Sequence, residues 1–164
     1  LKANRVDMQQ LEQDSIIDAQ MYYIRDYRTA NRPYEGHYPH SAVTLEVVNK
    51  KQAYFKGDWI IPTDQESIRY IVETLEPQAT DSFFNWNFFD AILSQKEYFS
   101  GYIFEDYAAE MLKKDKDLKR SFEDAKSKDG KLKESAAAQL QWLYQRSPFY
   151  EKTFNLYPVA RIVD

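Results

Sequence analysis

Apolar positions in the first third of the chain partly alternate with polar ones, whereas later they recur every three or four residues. Ile16-Ile17-Asp18-Ala19-Gln20-Met21-Tyr22-Tyr23-Ile24 and Val43-Thr44-Leu45-Glu46-Val47-Val48 are β-branched or aromatic-rich with partial period-2 alternation, which predicts two strands. Between them, Asn31-Arg32-Pro33-Tyr34-Glu35-Gly36-His37-Tyr38-Pro39-His40 has the Pro and Gly content of a loop. Ala53-Tyr54-Phe55 and Asp58-Trp59-Ile60-Ile61 flank Lys56-Gly57, which predicts a turn between strands, and Pro62 ends the last of them.

The period changes at Thr63. Thr63-Asp64-Gln65-Glu66 has the form of a capping box, and Ile68, Ile71, Val72 and Leu75 follow at the spacing of an amphipathic helix that Pro77 stops. Ser94-x-x-Glu97 opens a second helical pattern through about Lys114. Leu118, Phe122 and Ala125 mark a charged helix closed by Asp129-Gly130, and a last helix through Leu140 and Leu143 ends before Pro148. Pro158-Val159-Ala160-Arg161-Ile162-Val163 predicts a strand returning to the sheet, at about 158–163. The expected architecture is one α+β domain over 1–164. Its strand-rich part, 1–62, supplies a mainly antiparallel sheet, and its helix-rich part, 63–150, packs helices on that sheet.

Composition narrows the chemistry. A chain of 164 residues has the length of one ordinary domain and no cysteine, which removes disulfides, thiolate nucleophiles and cysteine-ligated metals. Four glycines leave little room for a phosphate-cradling loop, and a net charge of −4 argues against nucleic acid as a partner. No apolar run reaches the roughly 20 residues that span a bilayer. The opening Leu1-Lys2-Ala3-Asn4 has no initiator Met and no signal-peptide order, and reads as the start of a piece of something longer.

Three groups of residues invite a functional reading. His37 and His40, with Glu35 beside them, form the inventory of a zinc site, although Pro39 keeps both rings off one helical face. The alternative is two rings bonded to backbone in a Pro-rich loop. Asp81-Ser82-Phe83-Phe84-Asn85-Trp86-Asn87-Phe88-Phe89-Asp90 packs five aromatics too densely for a single buried stripe. Trp86 and Phe89 are expected to pack inward. The candidates for an interaction surface are Tyr34, Trp59, Phe83, Phe84 and Phe88, together with Trp86, whose ring is large enough to pack inward and still show an edge. Paired carboxylates such as Glu105 and Asp106 lie on helix faces and read as solvated charge, and the mixed signs of Lys113–Lys133 suit a solvated helical pair. No Gly-x-Ser-x-Gly or Ser-x-x-Lys motif occurs.

Several stretches recur together in one order: Arg32–His40, Gly57-Asp58-Trp59-Ile60-Ile61-Pro62-Thr63-Asp64-Gln65, Arg69–Gln78, Asp81–Asp90, Gln95-Lys96-Glu97-Tyr98-Phe99-Ser100, Arg146–Glu151 and Tyr157-Pro158-Val159. Together they resemble the region downstream of the catalytic domain in a group of bacterial M14-type zinc carboxypeptidases, from about Asp18 onward. The family's zinc site is a His-x-x-Glu with a later His. Here His37 meets His40 at the third place and His40 meets Val43, so no zinc-site or catalytic residue carries over. The resemblance implies a noncatalytic C-terminal accessory domain, not itself an enzyme and without a cofactor. It would pack on the catalytic domain of the same polypeptide. Peptidase activity and zinc would belong to that parent, and export to the periplasm or medium is implied in the same way. The alternative is an independent carbohydrate- or peptide-binding module that uses the surface aromatics.

Overall fold

Two long strands pair antiparallel from end to end, β2 (Ser15–Thr29) with β3 (His40–Tyr54), in a register running from Ser15 opposite Tyr54 to Thr29 opposite His40. The structure, a computed structural model, describes residues 1–163. Both strands are longer than their β-branched centres predict. In the middle of β2, Ala19 and Met21 are buried on one face and Tyr22 and Ile24 on the other, so the apolar run there is continuous and not alternating.

The ladder is interrupted where it nears the connecting loop. Arg28 faces Ser41 and Asp26 faces Thr44, so β3 holds one residue more than β2 in that interval, and Ala42 takes a left-handed φ of 51°. This is a β-bulge, which bends a strand and re-aims its side chains. Strict alternation would put His40 and Val43 on opposite faces. The extra residue brings both to the core that contains Phe84, where both are buried.

Short pairings complete the strands. β5 (Arg161–Ile162) joins β2 at Ala19 and Gln20, as the return strand predicts, giving the sheet order β3-β2-β5. β1 (Gln9–Gln10) pairs with β4 (Trp59–Ile60) in a separate two-stranded sheet. A turn does lie at Lys56-Gly57, with Asp58 N–H donating to the Phe55 carbonyl at 3.0 Å and Gly57 at φ 97°. The strands on its two sides, however, take different partners.

The chain is α+β and divides into two compact units, Leu1–Ser94 with the segment from Thr153 onward, and Gln95–Lys152. The division falls at Ser94 and Thr153, not at the change of period near residue 63. In the sheet unit one core gathers Tyr22, Ile24, Val43, Phe84 and Tyr157, and a second gathers Val6, Ile71 and Leu75. The helix of that unit, α1 (Ile68–Leu75), is shorter than predicted. Thr63–Glu66 forms no capping box, since the helix starts only at Ile68 after Ser67; the preceding segment is tied down instead by Gln65, whose Oε1 accepts from Asp7 N–H at 2.8 Å and whose Nε2 donates to the Asp7 carbonyl at 3.1 Å. Half of the expected stripe is also outside, since Ile71 and Leu75 are buried but Ile68 and Val72 are exposed.

The helical unit runs α2 (Gly101–Lys114), α3 (Lys116–Lys128), α4 (Gly130–Glu134) and α5 (Ala136–Tyr144), with one extended residue at each break after α2. Those residues are caps. Asp115 accepts from Asp117 N–H and Leu118 N–H, Asp129 from Lys131 N–H and Leu132 N–H, and Ser135 from Ala138 N–H. The predicted start at Ser94 does not form. The Glu151 carboxylate takes Lys96 N–H at 2.7 Å and Glu97 N–H at 3.1 Å, holding 96–97 in a loop. Phe104, Ala108, Phe122, Leu143 and Tyr144 form this unit's core.

Tyr157 gives the sheet unit a pH dependence. Its hydroxyl is buried without a hydrogen-bond partner among the described residues, and burial, then the Glu76 charge, pushes the phenol well above the ordinary tyrosine range. Below pH ~10 the phenol is neutral folded or unfolded, so nothing is lost; above it the unfolded chain ionises and the fold resists, so stability falls as pH rises. Tyr157→Phe is expected to leave stability at pH 7 unchanged or higher and to flatten the alkaline decline, measured by urea unfolding between pH 7 and 11. A loss at pH 7 of more than about 1 kcal/mol would mean that the hydroxyl is bonded after all.

Candidate functional site

The dense aromatic segment is a single helical turn with a cap at each end. Ser82 Oγ accepts Asn85 N–H at 3.0 Å, the bond an N-cap makes. At the other end Asn87 is left-handed at φ 67°, with Asn87 N–H donating to the Phe84 carbonyl at 3.0 Å and Phe88 N–H to the Phe83 carbonyl at 2.9 Å. That pair of bonds is the Schellman motif, and the Phe83–Phe88 ring contact at 5.5 Å is its usual hydrophobic partner. One turn so closed must send its rings several ways. Phe84 goes fully inward, Phe83, Trp86 and Phe89 are half-buried, and Phe88 is 64% exposed.

The second wall comes from the 31–40 loop. Tyr34 and His37 exchange both backbone hydrogen bonds, at 2.8 and 2.9 Å, around Glu35 at φ 49° and Gly36 at φ 80°. This is a two-residue type I′ hairpin, whose first central residue carries a side chain in a conformation Gly36 adopts without strain. It sets Tyr34 and His37 side by side. Their rings lie 6.0 and 5.7 Å from the Trp86 ring, and His37 lies 5.6 Å from Phe88. The result is a continuous aromatic face of Tyr34, His37, Trp86 and Phe88, with Tyr34 62% exposed.

Hydrogen bonds beneath the rings lock the two loops together. The Asn87 amide grips the Tyr38 backbone, Oδ1 accepting from its N–H and Nδ2 donating to its carbonyl, each at 3.0 Å. His40, almost wholly buried at the start of β3, links three segments. Its N–H donates to the Asn85 carbonyl at 2.8 Å, its Nε2 lies 2.9 Å from Asp90 Oδ1, and its Nδ1 lies 3.0 Å from Thr29 Oγ1. A carboxylate only accepts, so the Asp90 bond uses a proton on Nε2, which the Asn87 Nδ2 also approaches at 3.1 Å, while the Thr29 hydroxyl can serve Nδ1 as donor or acceptor. Tyr27 and Phe84 rings enclose the imidazole at 4.6 and 5.0 Å.

Hydroxyl, imidazole and carboxylate in hydrogen-bond sequence also describe an activated nucleophile. Acyl transfer needs donors free to hold an oxyanion. Here the nearby N–H groups of Ala30 and His40 are spent on the Pro39 and Asn85 carbonyls. The arrangement is a pin between strands and loop.

Several expected site residues are placed differently. Phe84 belongs to the core and faces no partner, because it is fully buried against Tyr27 and Tyr157. Phe83 contributes from beneath, against Phe88 and Phe89. Trp59 does not join the aromatic face: it lies under Lys2 Nζ at 4.7 Å and lines an open depression of about 500 Å³ with Leu1, Met8 and Ile61. His40 is in a strand and not in the loop, and its ring nitrogens face Thr29 and Asp90 while His37 faces Trp86 and Phe88. Glu35, His37 and His40 therefore do not converge, and among the described residues no three His, Cys, Asp or Glu side chains do. The bond from His40 to Asp90, 50 positions away, had no sequence signal. Asn87 had a weak one, since Asn tolerates a left-handed backbone better than other residues with a side chain.

Comparison with protein-family models, curated proteins and solved structures finds no match to the chain. No helix among the described residues is long and apolar enough to cross a membrane.

The Asn87 clamp is testable by two substitutions. Asn87→Ala loses the bonds to Tyr38 and leaves a left-handed residue without the short polar side chain that eases that conformation, and is expected to cost about 1–3 kcal/mol. Asn87→Gly loses the same bonds without that strain and should cost about 1 kcal/mol less. Equal costs in urea unfolding would show that the conformation at 87 contributes nothing.

Proposed function

We propose that the chain is a noncatalytic accessory domain that packs on a partner domain through the Tyr34–His37–Trp86–Phe88 face. The partner is the catalytic domain of an M14-type zinc carboxypeptidase in the same polypeptide. The observation that carries the docking face is the combination of exposure and rigidity: Tyr34 and Phe88 are more than half exposed although the loops bearing them are clamped by Asn87 and His40. Each large ring left in water forgoes roughly 1.5–3 kcal/mol relative to burial. A rigid aromatic face loses little further entropy on docking, which favours its use as an anchor. The identity of the partner is supported by the ordered stretches that resemble the region downstream of M14 catalytic domains. In this reading zinc, peptide hydrolysis and export belong to the parent protein, and this chain contributes docking.

The reading frame upstream of Leu1 is the first test: it should encode His-x-x-Glu and a later His, and a frame without them overturns the assignment. The second is binding of the chain to that catalytic domain expressed separately, by titration calorimetry. Phe88→Ala and Tyr34→Ala are expected to weaken binding about tenfold or more while changing the unfolding free energy by less than ~1 kcal/mol. Phe84→Ala, a core truncation, should instead cost about 3–5 kcal/mol of stability. Absence of binding by the unsubstituted chain rejects the docking role. Retention of a glycan or free peptide, lost in the same two variants, would give the face to the carbohydrate- or peptide-binding alternative.

A further inference from the structure

The outer edge of β3 is open. β2 is covered on both sides, by β3 along its length and by β5 with the 155–157 segment on the other, whereas β3 pairs with β2 alone. At the bulged end, Gln78 Nε2 caps the Val43 carbonyl at 2.8 Å and the His40 N–H reaches Asn85. From Thr44 to Tyr54 no backbone hydrogen bond leaves that edge among the described residues. A long regular edge with free N–H and C=O groups is a template for another strand, and proteins that leave one open restrict what can pair with it.

We propose that this edge pairs with the same edge of a second copy of the chain, β3 antiparallel to β3, about a two-fold axis at Val48. The side-chain order Thr44-Leu45-Glu46-Val47-Val48-Asn49-Lys50-Lys51-Gln52 selects both the occupant and the register. Centred on Val48, Glu46 of each copy faces Lys50 of the other, Thr44 faces Gln52, and Val48 faces Val48, all on one face of the ribbon because they share parity. A centre at Glu46 or Lys50 would instead set like charges directly opposite each other, and a centre at Val47 or Asn49 would leave every charge facing an uncharged residue. The charge complementarity is therefore self-complementarity, which is what an isologous two-fold interface requires. Glu46 already meets Arg25 of β2, which holds its carboxylate at the ribbon, within reach of a cation from the partner copy. The pairing is separate from the aromatic face and does not depend on what that face binds.

Sedimentation equilibrium on the full chain tests this, with folding checked by circular dichroism. The unsubstituted chain should be a concentration-dependent dimer. Glu46→Lys and Lys50→Glu should each raise the dimer dissociation constant about tenfold or more, since each places two like-charge pairs across the axis. The double variant E46K/K50E should restore dimerisation, which a loss of the Arg25 pair alone would not allow. Amide hydrogen exchange between Thr44 and Gln52 should slow as concentration rises. A chain that is monomeric at all concentrations overturns the proposal, as does a dimer indifferent to the single charge reversals or one whose β3 amides gain no protection.

Discussion

The sheet unit depends on one buried polar residue. An imidazole taken from water with its nitrogens unpaired would cost several kcal/mol, so burying His40 commits the chain to partners for both. The ring's partners are Thr29 at the end of β2 and Asp90 at the far end of the aromatic turn, and the backbone N–H of the same residue donates to the Asn85 carbonyl within that turn. None is close to His40 in sequence. Satisfying one ring therefore fixes where the 81–90 segment lies against the hairpin, to within hydrogen-bond tolerance. The Ala42 bulge is the backbone's part of this arrangement, because the extra residue lets His40 and Val43, three apart, both turn to the core that contains Phe84.

That constraint explains how the chain keeps large rings exposed without letting them collapse inward. Apolar surface in water drives loops to fold over it unless their backbones are otherwise committed. Around the face they are committed. The hairpin at 34–37 closes on itself, the 82–88 turn is capped by Ser82 and Asn87, and the Asn87 amide holds Tyr38 from the opposite loop. The rings above are edge-on or tilted toward one another, arrangements that satisfy the aromatic quadrupole without stacking. The polar layer thus sets the geometry, and the apolar layer is free to serve as surface.

The sequence made the elements legible where a local cause decides them. The strands announce themselves by β-branched residues, one helix end by Asp129-Gly130, and the return of Arg161–Ile162 by its apolar run, whereas the caps at Asp115 and Ser135 and the short α4 between Asp129 and Ser135 are seen only in the structure. It misled where a long-range partner captured a local signal. The Thr63–Glu66 pattern falls in a segment that Gln65 ties to Asp7 ahead of the helix, and Glu97 would have begun a helix but its N–H is taken by Glu151. Of the site, the aromatic cluster was visible as composition, and its division into core and surface was not. Phe83 and Phe84 are chemically identical neighbours, and only the direction of a one-turn helix sends the second fully inward. Trp59 fails for a related reason: an exposed tryptophan looks like a binding residue anywhere, and its placement beside Lys2 follows from the β1–β4 pairing, which no local pattern encodes.

The bulge also divides the hairpin into two regions with different physics. On its loop side, side chains dominate: His40 and Thr29 are bonded through their side chains, the strands twist, and the backbone edge is capped by Gln78 and Asn85. On its other side the ladder from Leu45 to Tyr54 is regular, and the backbone edge itself is what β3 offers. The Val43 carbonyl and the His40 N–H are already taken by Gln78 and Asn85, so a partner strand on the outer edge stops short of the bulge. Aromatic docking and edge pairing are thereby kept on separate stretches of one strand. Contacts at the first are apolar and insensitive to salt, whereas those at the second include exposed charges that salt screens. Ionic strength therefore distinguishes the two surfaces, weakening an interaction made through the Glu46 and Lys50 edge while leaving one made through Tyr34 and Phe88 in place.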